Sequence, residues 1–399
     1  DRGSCCDDFG ADNYQPFATN QITLRDNVQA GENITIPSEN LSLRAHGTSM
    51  RIDPDVSTPL SQATTFNYTL EKDDGTVIAS KTRTNLQGAT QLENPNDPQE
   101  FGIGSGFGGK LSPGDDLNLT MEAISGDTGF ISEEIDVGKA NINDDFGTKG
   151  FELEPKPATV KIKSQLSTFA VDDTTVNVTL EDSQGNVINS ATRTVEADTQ
   201  EVDEFSLTAD FTSTELEGGE QLNATVSVTE GDLGYNATET VVDPAMSPNK
   251  TYSVPRSTLE LEAQNIEVEA DATTDLGPTE NKEVIFTLQN EGGRVIAQQE
   301  LNGTDGFVED ATTTGSTATL TGAFDQRGLA GGSNLTLTAE INGTSYQSDT
   351  TSVADSVKPG KSFTLTDGEL ELTARPVNIS ATATLAASAV SNTDVEFIL

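Results

Sequence analysis

Three stretches decide the architecture: TLEKDDGTVIAS from Thr69 to Ser80, TLEDSQGNVINS from Thr179 to Ser190, and TLQNEGGRVIAQ from Thr287 to Gln298. Their leucines, Leu70, Leu180 and Leu288, lie 110 and 108 residues apart. Each stretch reads as a strand end, a polar turn with a glycine five residues after the leucine, and a returning strand opened by an apolar pair. The glycines are Gly75, Gly185 and Gly293, and the pairs are Val77-Ile78, Val187-Ile188 and Val295-Ile296. Glycine there supplies the positive φ that tight hairpin turns require.

A second anchor follows each hairpin. Leu111 opens LSPGDDLNLT, Leu216 opens LEGGEQLNAT and Leu329 opens LAGGSNLTLT, each a turn running into an alternating strand. The copies close on EAISGDTGFISEEIDV, SVTEGDLGYNATETVV and AEINGTSYQSDTTSV, with Phe130, Tyr235 or Tyr346 as the aromatic. Strand pairs with turns at short intervals and no helical period predict an all-β chain of tandem immunoglobulin-like antiparallel sandwiches, arranged as beads on a string.

The expected division is an N-terminal junction-like segment over 1–20, repeat 1 over 21–140, a linker over 141–157, repeat 2 over 158–243, a linker over 244–255 and repeat 3 over 256–353. The remainder, 354–399, reads as a linker and an incomplete fourth repeat. LELTARPVNISATATL there resembles LELEAQNIEVEADATT from Leu259, and VEFIL (395–399) matches VIFTL and VNVTL of earlier copies. Two readings of that partial copy stand side by side. Either the chain belongs to a longer one, or strands from a neighbouring subunit complete the sandwich.

Composition sets the function classes. The 399 residues carry 65 Asp+Glu against 22 Lys+Arg, a formal charge of −43. Nucleic-acid binding needs clustered cations and is excluded as the main role, and attraction to an anionic membrane fails for the same reason. No run approaches the roughly 18 apolar residues of a spanning helix. One His (His46), no Trp and two adjacent cysteines weigh against an enzyme. With hydrophobic residues at 33% in short strand-like runs, the chain reads as folded with an acid-coated surface rather than disordered. Self-repulsion of so many carboxylates collapses near 1 M salt, where the screening length is about 3 Å.

This composition resembles that of halophilic archaeal proteins. Together with the β-repeats and the sequons below, the chain resembles archaeal surface-layer (S-layer) glycoproteins and related extracellular repeat proteins. The resemblance implies an extracellular structural protein that assembles into a lattice or filament through domain edges, with metal ions at contacts. The alternative is a halophilic virus spike or an adhesin, favoured by an exposed aromatic tip around Phe101 to Phe107. A further alternative is an accessory part of a secreted enzyme.

Asn-x-Ser/Thr occurs 12 times, at Asn33, Asn40, Asn67, Asn118, Asn177, Asn223, Asn236, Asn249, Asn302, Asn334, Asn342 and Asn378. The 26 Asn and 85 Ser+Thr of the chain give about 5 or 6 such triplets by chance. Asn67 and Asn177 share one repeat position, and Asn118 and Asn223 share another. These are glycosylation candidates, against the plainer reading of a Thr- and Asn-rich strand surface. No cofactor is expected, with calcium at a domain junction as the one candidate ion. Asp144 and Asp145 are the favoured carboxylates, and a solvated acidic surface is the competing reading. Cys5 and Cys6 are disulfide candidates with partners elsewhere, because a bond between neighbours is strained. The Gly104 to Gly109 run matches a dinucleotide fingerprint in letters only, since no helix pattern follows it. Partners are expected to be further copies of the chain or its own continuation.

Overall fold

A computed structural model describes residues 17–18, 31–36, 44–45, 48–92, 102–107, 109–142, 145–212, 216–276, 281–302, 317–325, 328–343, 345–366, 368–382, 384, 396 and 398. The protein is all-β, a tandem of immunoglobulin-like sandwiches, and the described residues contain no α-helix. A short antiparallel pair, β1 (Phe17–Ala18) with β2 (Arg44–Ala45), precedes them.

Module 1 comprises β3 (Thr48–Val56), β4 (Thr64–Lys72), β5 (Val77–Asn85), β6 (Gly102–Ser105), β7 (Asp116–Ser125), β8 (Glu133–Lys139) and β9 (Asp145–Leu153). Module 2 comprises β10 (Ala158–Leu166), β11 (Thr174–Glu181), β12 (Val187–Val195), β13 (Glu201–Ala209), β14 (Leu222–Glu230), β15 (Thr238–Asp243), β16 (Thr251–Val254) and β17 (Glu260–Leu261). Module 3 comprises β18 (Ile266–Ala270), β19 (Thr273–Thr274), β20 (Val284–Asn290), β21 (Val295–Leu301), β22 (Ala318–Gly322), β23 (Leu335–Ile341), β24 (Asp349–Ala354), β25 (Ser362–Leu365) and β26 (Glu371–Leu372).

Each module packs a four-stranded antiparallel sheet against a second sheet. The four-stranded orders are β5-β4-β7-β8, β12-β11-β14-β15 and β21-β20-β23-β24. The second sheets are β6-β3-β9, β13-β10-β16 with β17 also on β10, and β22-β18-β25 beside the pair β19-β26. Central strands alternate buried and half-buried residues, as in β4 and β11, which is the period-2 pattern of a sheet with one face on a core. Three separate apolar clusters result, one per module. They run from Met50 to Leu153, from Ala158 to Leu261 and from Ile266 to Leu372.

The three hairpins form as their sequences require. Gly75, Gly185 and Gly293 have φ of +81°, +85° and +74°, and the register shifts by one residue at Leu70, Leu180 and Leu288 in all three copies. Gly102–Ser105 is a strand on β3, so the glycine-rich run opens inside a sheet, and β7 rather than a helix is the next element after it.

Sequence expectation and structure part at the linkers. Residues 145–153, inside the stretch read as a linker over 141–157, form β9 and pair in parallel with β3. In the same way β16, within 244–255, pairs in parallel with β10. β25 and β26, within the stretch read as linker and fourth repeat, pair in parallel with β18 and β19 of module 3. The physical reason is topological: a module's first strand finds its parallel neighbour only after the whole sandwich has served as the crossover. LELTARP and LELEAQN are alike because both close the preceding module. Only residues 154–157 and 262–265 cross between the last strand of one module and the first of the next.

Candidate functional site at the module junctions

The loops at the end of one module meet two loops at the start of the next, and both joints follow one plan. At the joint between modules 1 and 2, the loop after β3 supplies Thr58, Pro59, Ser61 and Gln62. The loop after β7 supplies Gly126, Asp127 and Gly129. Across the joint, the loop before β14 supplies Gly218, and the loop before β16 supplies Ser247, Pro248 and Lys250.

Two close backbone approaches set this geometry. The Gly218 N–H donates to Thr58 Oγ1 at 2.8 Å, and a Cβ on Gly218 would stand 1.9 Å from the Pro59 carbonyl oxygen. A Cβ on Gly129 would stand 2.4 Å from the Pro248 carbonyl oxygen. No real Cβ fits at such distances, so both glycines are required by contact and not by turn conformation. Between these contacts the buried Asp127 carboxylate accepts from Ser61 N at 2.7 Å, Ser61 Oγ at 2.7 Å and Gln62 Nε2 at 3.0 Å. The Ser61 hydroxyl also bonds the Ser247 hydroxyl at 2.7 Å. Lys250 Nζ donates to Ser247 Oγ at 3.0 Å, and Ser247 N donates to the Tyr252 hydroxyl at 2.8 Å.

The joint between modules 2 and 3 repeats the frame. Gly331 N–H donates to Thr168 Oγ1 at 2.8 Å, and its Cβ would stand 2.1 Å from the Phe169 carbonyl oxygen. A Cβ on Gly234 would stand 1.9 Å from the Pro359 carbonyl oxygen. Asp232 takes the place of Asp127 and accepts from Val171 N at 2.6 Å. The side chains between the frames differ: Val171 stands where Ser61 was, and Lys358 where Ser247 was. Lys358 Nζ pairs with Asp172, and lies 3.6 Å from Asp232 Oδ1. The bond to Asp172, helped by the charge of Asp232, holds the Lys358 ammonium above its ordinary pKa against the opposing effect of burial. A recess of about 220 Å³ opens here, lined by Asp232, Gly234, Gln264, Lys358, Pro359 and Lys361.

The closing aromatics anchor these loops from beneath. Phe130, Tyr235 and Tyr346 are buried, and each bridges to the residue run after the closing strand, at Pro155, Ala263 and Ala374. The Tyr235 hydroxyl donates to the Thr168 carbonyl at 3.2 Å and the Tyr346 hydroxyl to the Leu276 carbonyl at 2.8 Å. Burial raises both phenols above their ordinary pKa.

The residues singled out in the sequence fall mainly elsewhere. Asp145 opens β9 beside Ser49, with its carboxylate accepting from Gly147 N at 3.0 Å. That is the start of module 1, the opposite end from the joint an ion there was expected to stiffen. Asp144, His46, Cys5, Cys6, Asn40 and Phe101 lie outside the described residues. Among the described residues no group of three or more His, Cys, Asp or Glu is placed to hold a metal ion, and no helix is long and apolar enough to cross a membrane. Phe107 packs against the core of module 1, which removes it from an exposed aromatic tip.

The sequon asparagines are half-buried at Asn67, Asn118, Asn177 and Asn223. They are exposed at Asn33, Asn236, Asn249, Asn302, Asn334, Asn342 and Asn378. Asn249 sits at the first joint with φ +57°, where the second joint has Gly360 at φ +67°. Sequence reading did not mark Thr58, Thr168, Gly129, Gly234, Pro248 or Pro359. The signal of the glycines and prolines was present in the paired repeats GDTGF and GDLGY, and MSPNK and VKPGK, and that of the threonines in VSTPL and LSTFA, and needed only to be read as contact rather than as turn.

No family model matches the sequence, and no curated protein matches it. Solved structures are similar at low identity. The Bacillus anthracis TIE protein is 11% identical over 82% of this chain and 51% of its own, with a TM-score of 0.34. BcpA, the major pilin subunit of Bacillus cereus, is 10% identical over 82% and 99%, with a TM-score of 0.23. GBS52, the minor pilin of Streptococcus agalactiae, is 10% identical over 57% and 100%, with a TM-score of 0.20. The chain spans about half the length of the TIE protein that it matches.

Proposed function

We propose that this chain is a stiff, extended structural element of a cell surface in a high-salt setting, a non-enzymatic protein that assembles with further copies into a lattice or filament. The observation that carries the reading is the twice-repeated joint, in which glycine close approach fixes one sandwich against the next and a buried carboxylate holds the loop that makes the contact. Domains joined by short, loosely packed linkers move relative to one another by default. Joints built to this tolerance suit a part whose work is to hold distance and direction. The charge of −43 supports the high-salt element, since self-repulsion on that scale is tolerated where salt screens it.

The exposure of Asn33, Asn236, Asn249, Asn302, Asn334, Asn342 and Asn378 supports N-glycosylation and an extracellular location. Mass spectrometry of the native protein tests both, and unmodified peptides at all twelve sites would remove that element. The principal test is small-angle scattering of the chain in molar NaCl and after dialysis to millimolar salt, with electron cryo-microscopy of native material on cells. An elongated particle of fixed length in molar salt, expanding on dialysis, and a regular array on cells are expected. A flexible chain in molar salt would overturn the structural role, and unchanged size and far-UV circular dichroism in low salt would overturn the halophilic setting.

A further inference from the structure

Each joint holds one sequon asparagine, and the two come from opposite sides. At the joint between modules 1 and 2 it is Asn249, on the following module, in Asn249-Lys250-Thr251. At the joint between modules 2 and 3 it is Asn236, on the preceding module, in Asn236-Ala237-Thr238. Backbone bonds fix which positions correspond. Asn249 N donates to Lys156 O at 3.1 Å, as Gly360 N does to Gln264 O at 3.0 Å. Ile131 N donates to Glu154 O at 2.8 Å, as Asn236 N does to Glu262 O at 2.9 Å. Asn249 is therefore matched by Gly360, and Asn236 by Ile131.

The two positions face one spot on the seam. A Cβ on Gly360 would stand 2.8 Å from Gln264 Oε1, and the same Gln264 amide donates through Nε2 to Asn236 Oδ1 at 3.0 Å. Side chains at the two positions thus reach one amide from opposite modules. Left-handed backbone accounts for asparagine or glycine at the Asn249 position. It has no bearing on Asn236, which arrives from the other loop.

The spot suits a sugar. Both asparagines are exposed. Gln264 engages Asn236 through its oxygen, and Nδ2, the atom that N-glycosylation uses, has no hydrogen-bond partner among the described residues. The recess of about 220 Å³ opens beside it, lined by Gly234 from module 2, by Pro359, Gly360 and Lys361 from module 3, and by Gln264 between them. One sugar ring there has Gln264 and Lys361 to bond its hydroxyls.

We propose that each joint carries one N-linked glycan at the same place on its seam, on Asn249 at the first and on Asn236 at the second, whose first sugar lies across the two modules and braces them. The inference rests on the N-glycosylation reading above and specifies which sites serve and what they do. The bond forms between the asparagine Nδ2 and the anomeric carbon of an activated glycosyl donor. The donor's phosphate leaving group departs with the electron pair, and the amide gives up a proton.

Two measurements test the proposal on the full chain. The first is peptide mass spectrometry of the native protein, in which sugar on both Asn236 and Asn249 is expected. A bare asparagine at either, beside occupied sequons elsewhere, would overturn the proposal and leave the general reading standing. Twelve bare sites would overturn both.

The second measurement reads the brace. With Cys5 and Cys6 changed to serine, spin labels at Gln184→Cys and Glu291→Cys report the joint between modules 2 and 3. The chain from an N-glycosylating host should give a distance distribution at least about 1.5-fold narrower than the same chain made without the modification. Thr238→Val destroys the triplet while keeping Asn236 and its bond to Gln264, and should broaden the distribution to the unmodified width. Asn236→Ala with Gly360→Asn moves the asparagine to the other loop, where Lys361 and Ser362 complete a new triplet. That pair should restore both the sugar and the narrow distribution. Equal widths with and without sugar, whether by host or by Thr238→Val, would overturn the brace. A moved asparagine that stays bare, or is modified without narrowing, would overturn the claim that the place on the seam decides.

Discussion

The two joints share a frame and differ in what fills it. Between modules 1 and 2 the buried Asp127 is met by hydroxyls, Ser61 and through it Ser247. Between modules 2 and 3 the equivalent Asp232 is met by a cation, Lys358, which also engages Asp172. The frame itself, glycine against carbonyl and N–H against threonine, is unchanged within 0.5 Å across all four close approaches. Backbone contact therefore sets the geometry of docking, while the side chains between set how it responds to pH and salt. A hydroxyl pair has no charge to lose, whereas an ion pair half open to water is worth little and responds to both.

The largest expected effect attacks the shared frame. Gly218→Val places carbon atoms inside the Pro59 carbonyl contact and should cost about 1–3 kcal/mol at that joint. In scattering, modules 1 and 2 should swing freely while module 2 to module 3 stays fixed, and a particle of unchanged length would show that the close approach does not hold the joint.

The next effect falls on the carboxylates. Asp127→Ala strands the Ser61 N–H and leaves its hydroxyl with Ser247 alone, and should lower stability by about 1–3 kcal/mol. Asp232→Ala strands the Val171 N–H and leaves Lys358 with Asp172 alone. Calorimetry should find a comparable loss in each variant, and a loss at only one would mean that the joints are not equivalent in energy.

Smaller still is the difference in charge. Lys358 has its pKa raised in the folded state, first by its bond to Asp172. Its contribution is present in full below the unfolded value of about 10.4 and is lost as pH rises through the folded value. The raised phenols of Tyr235 and Tyr346 add loss in the same direction, beginning near their unfolded pKa of about 10. Lys358→Met separates the two. It should cost under about 1 kcal/mol at neutral pH and remove only the lysine's share of the alkaline loosening at the second joint, leaving that of Tyr235, as read by spin labels placed on either side of the joint. A change in the first joint's alkaline response on Lys358→Met would break the comparison. The smallest effect expected is that of a chelator, which should leave both joints as they are. A shift at either would return attention to calcium and to Asp144 and Asp145.

Much of the fold was legible before any coordinates. The recurrence of Leu70, Leu180 and Leu288 with a glycine five residues later gave the hairpins and the number of complete sandwiches. What misled was the closing strand. β16 and β25 are only four residues long, the nine-residue β9 carries Asp, Lys and two Gly, and all three pair with strands about 100 residues earlier. No local pattern marks a partner so distant, so these strands read as linkers, and the start assigned to the fourth copy took in β25 and β26 of module 3. The joints were half legible. Glycines at Gly129, Gly218, Gly234 and Gly331 stood in the repeat, but a glycine kept for conformation and one kept for contact look alike in sequence. The favoured ion site illustrates the converse, because adjacent aspartates suggested a junction and Asp145 lies at the far end of its module.

Sequence alone determined the element type, the period and the acidic surface, because alternation, turn glycine and charge act over a few residues or over the chain as a whole. Tertiary structure decided which strands close each sandwich, which glycines touch a neighbouring module and which aspartates are buried between modules. Those outcomes depend on groups distant in the chain being brought within hydrogen-bond and van der Waals range. Thr58 and Gly218 are 160 residues apart in sequence and 2.8 Å apart in space, and only the folded chain brings an N–H and a hydroxyl together over that separation.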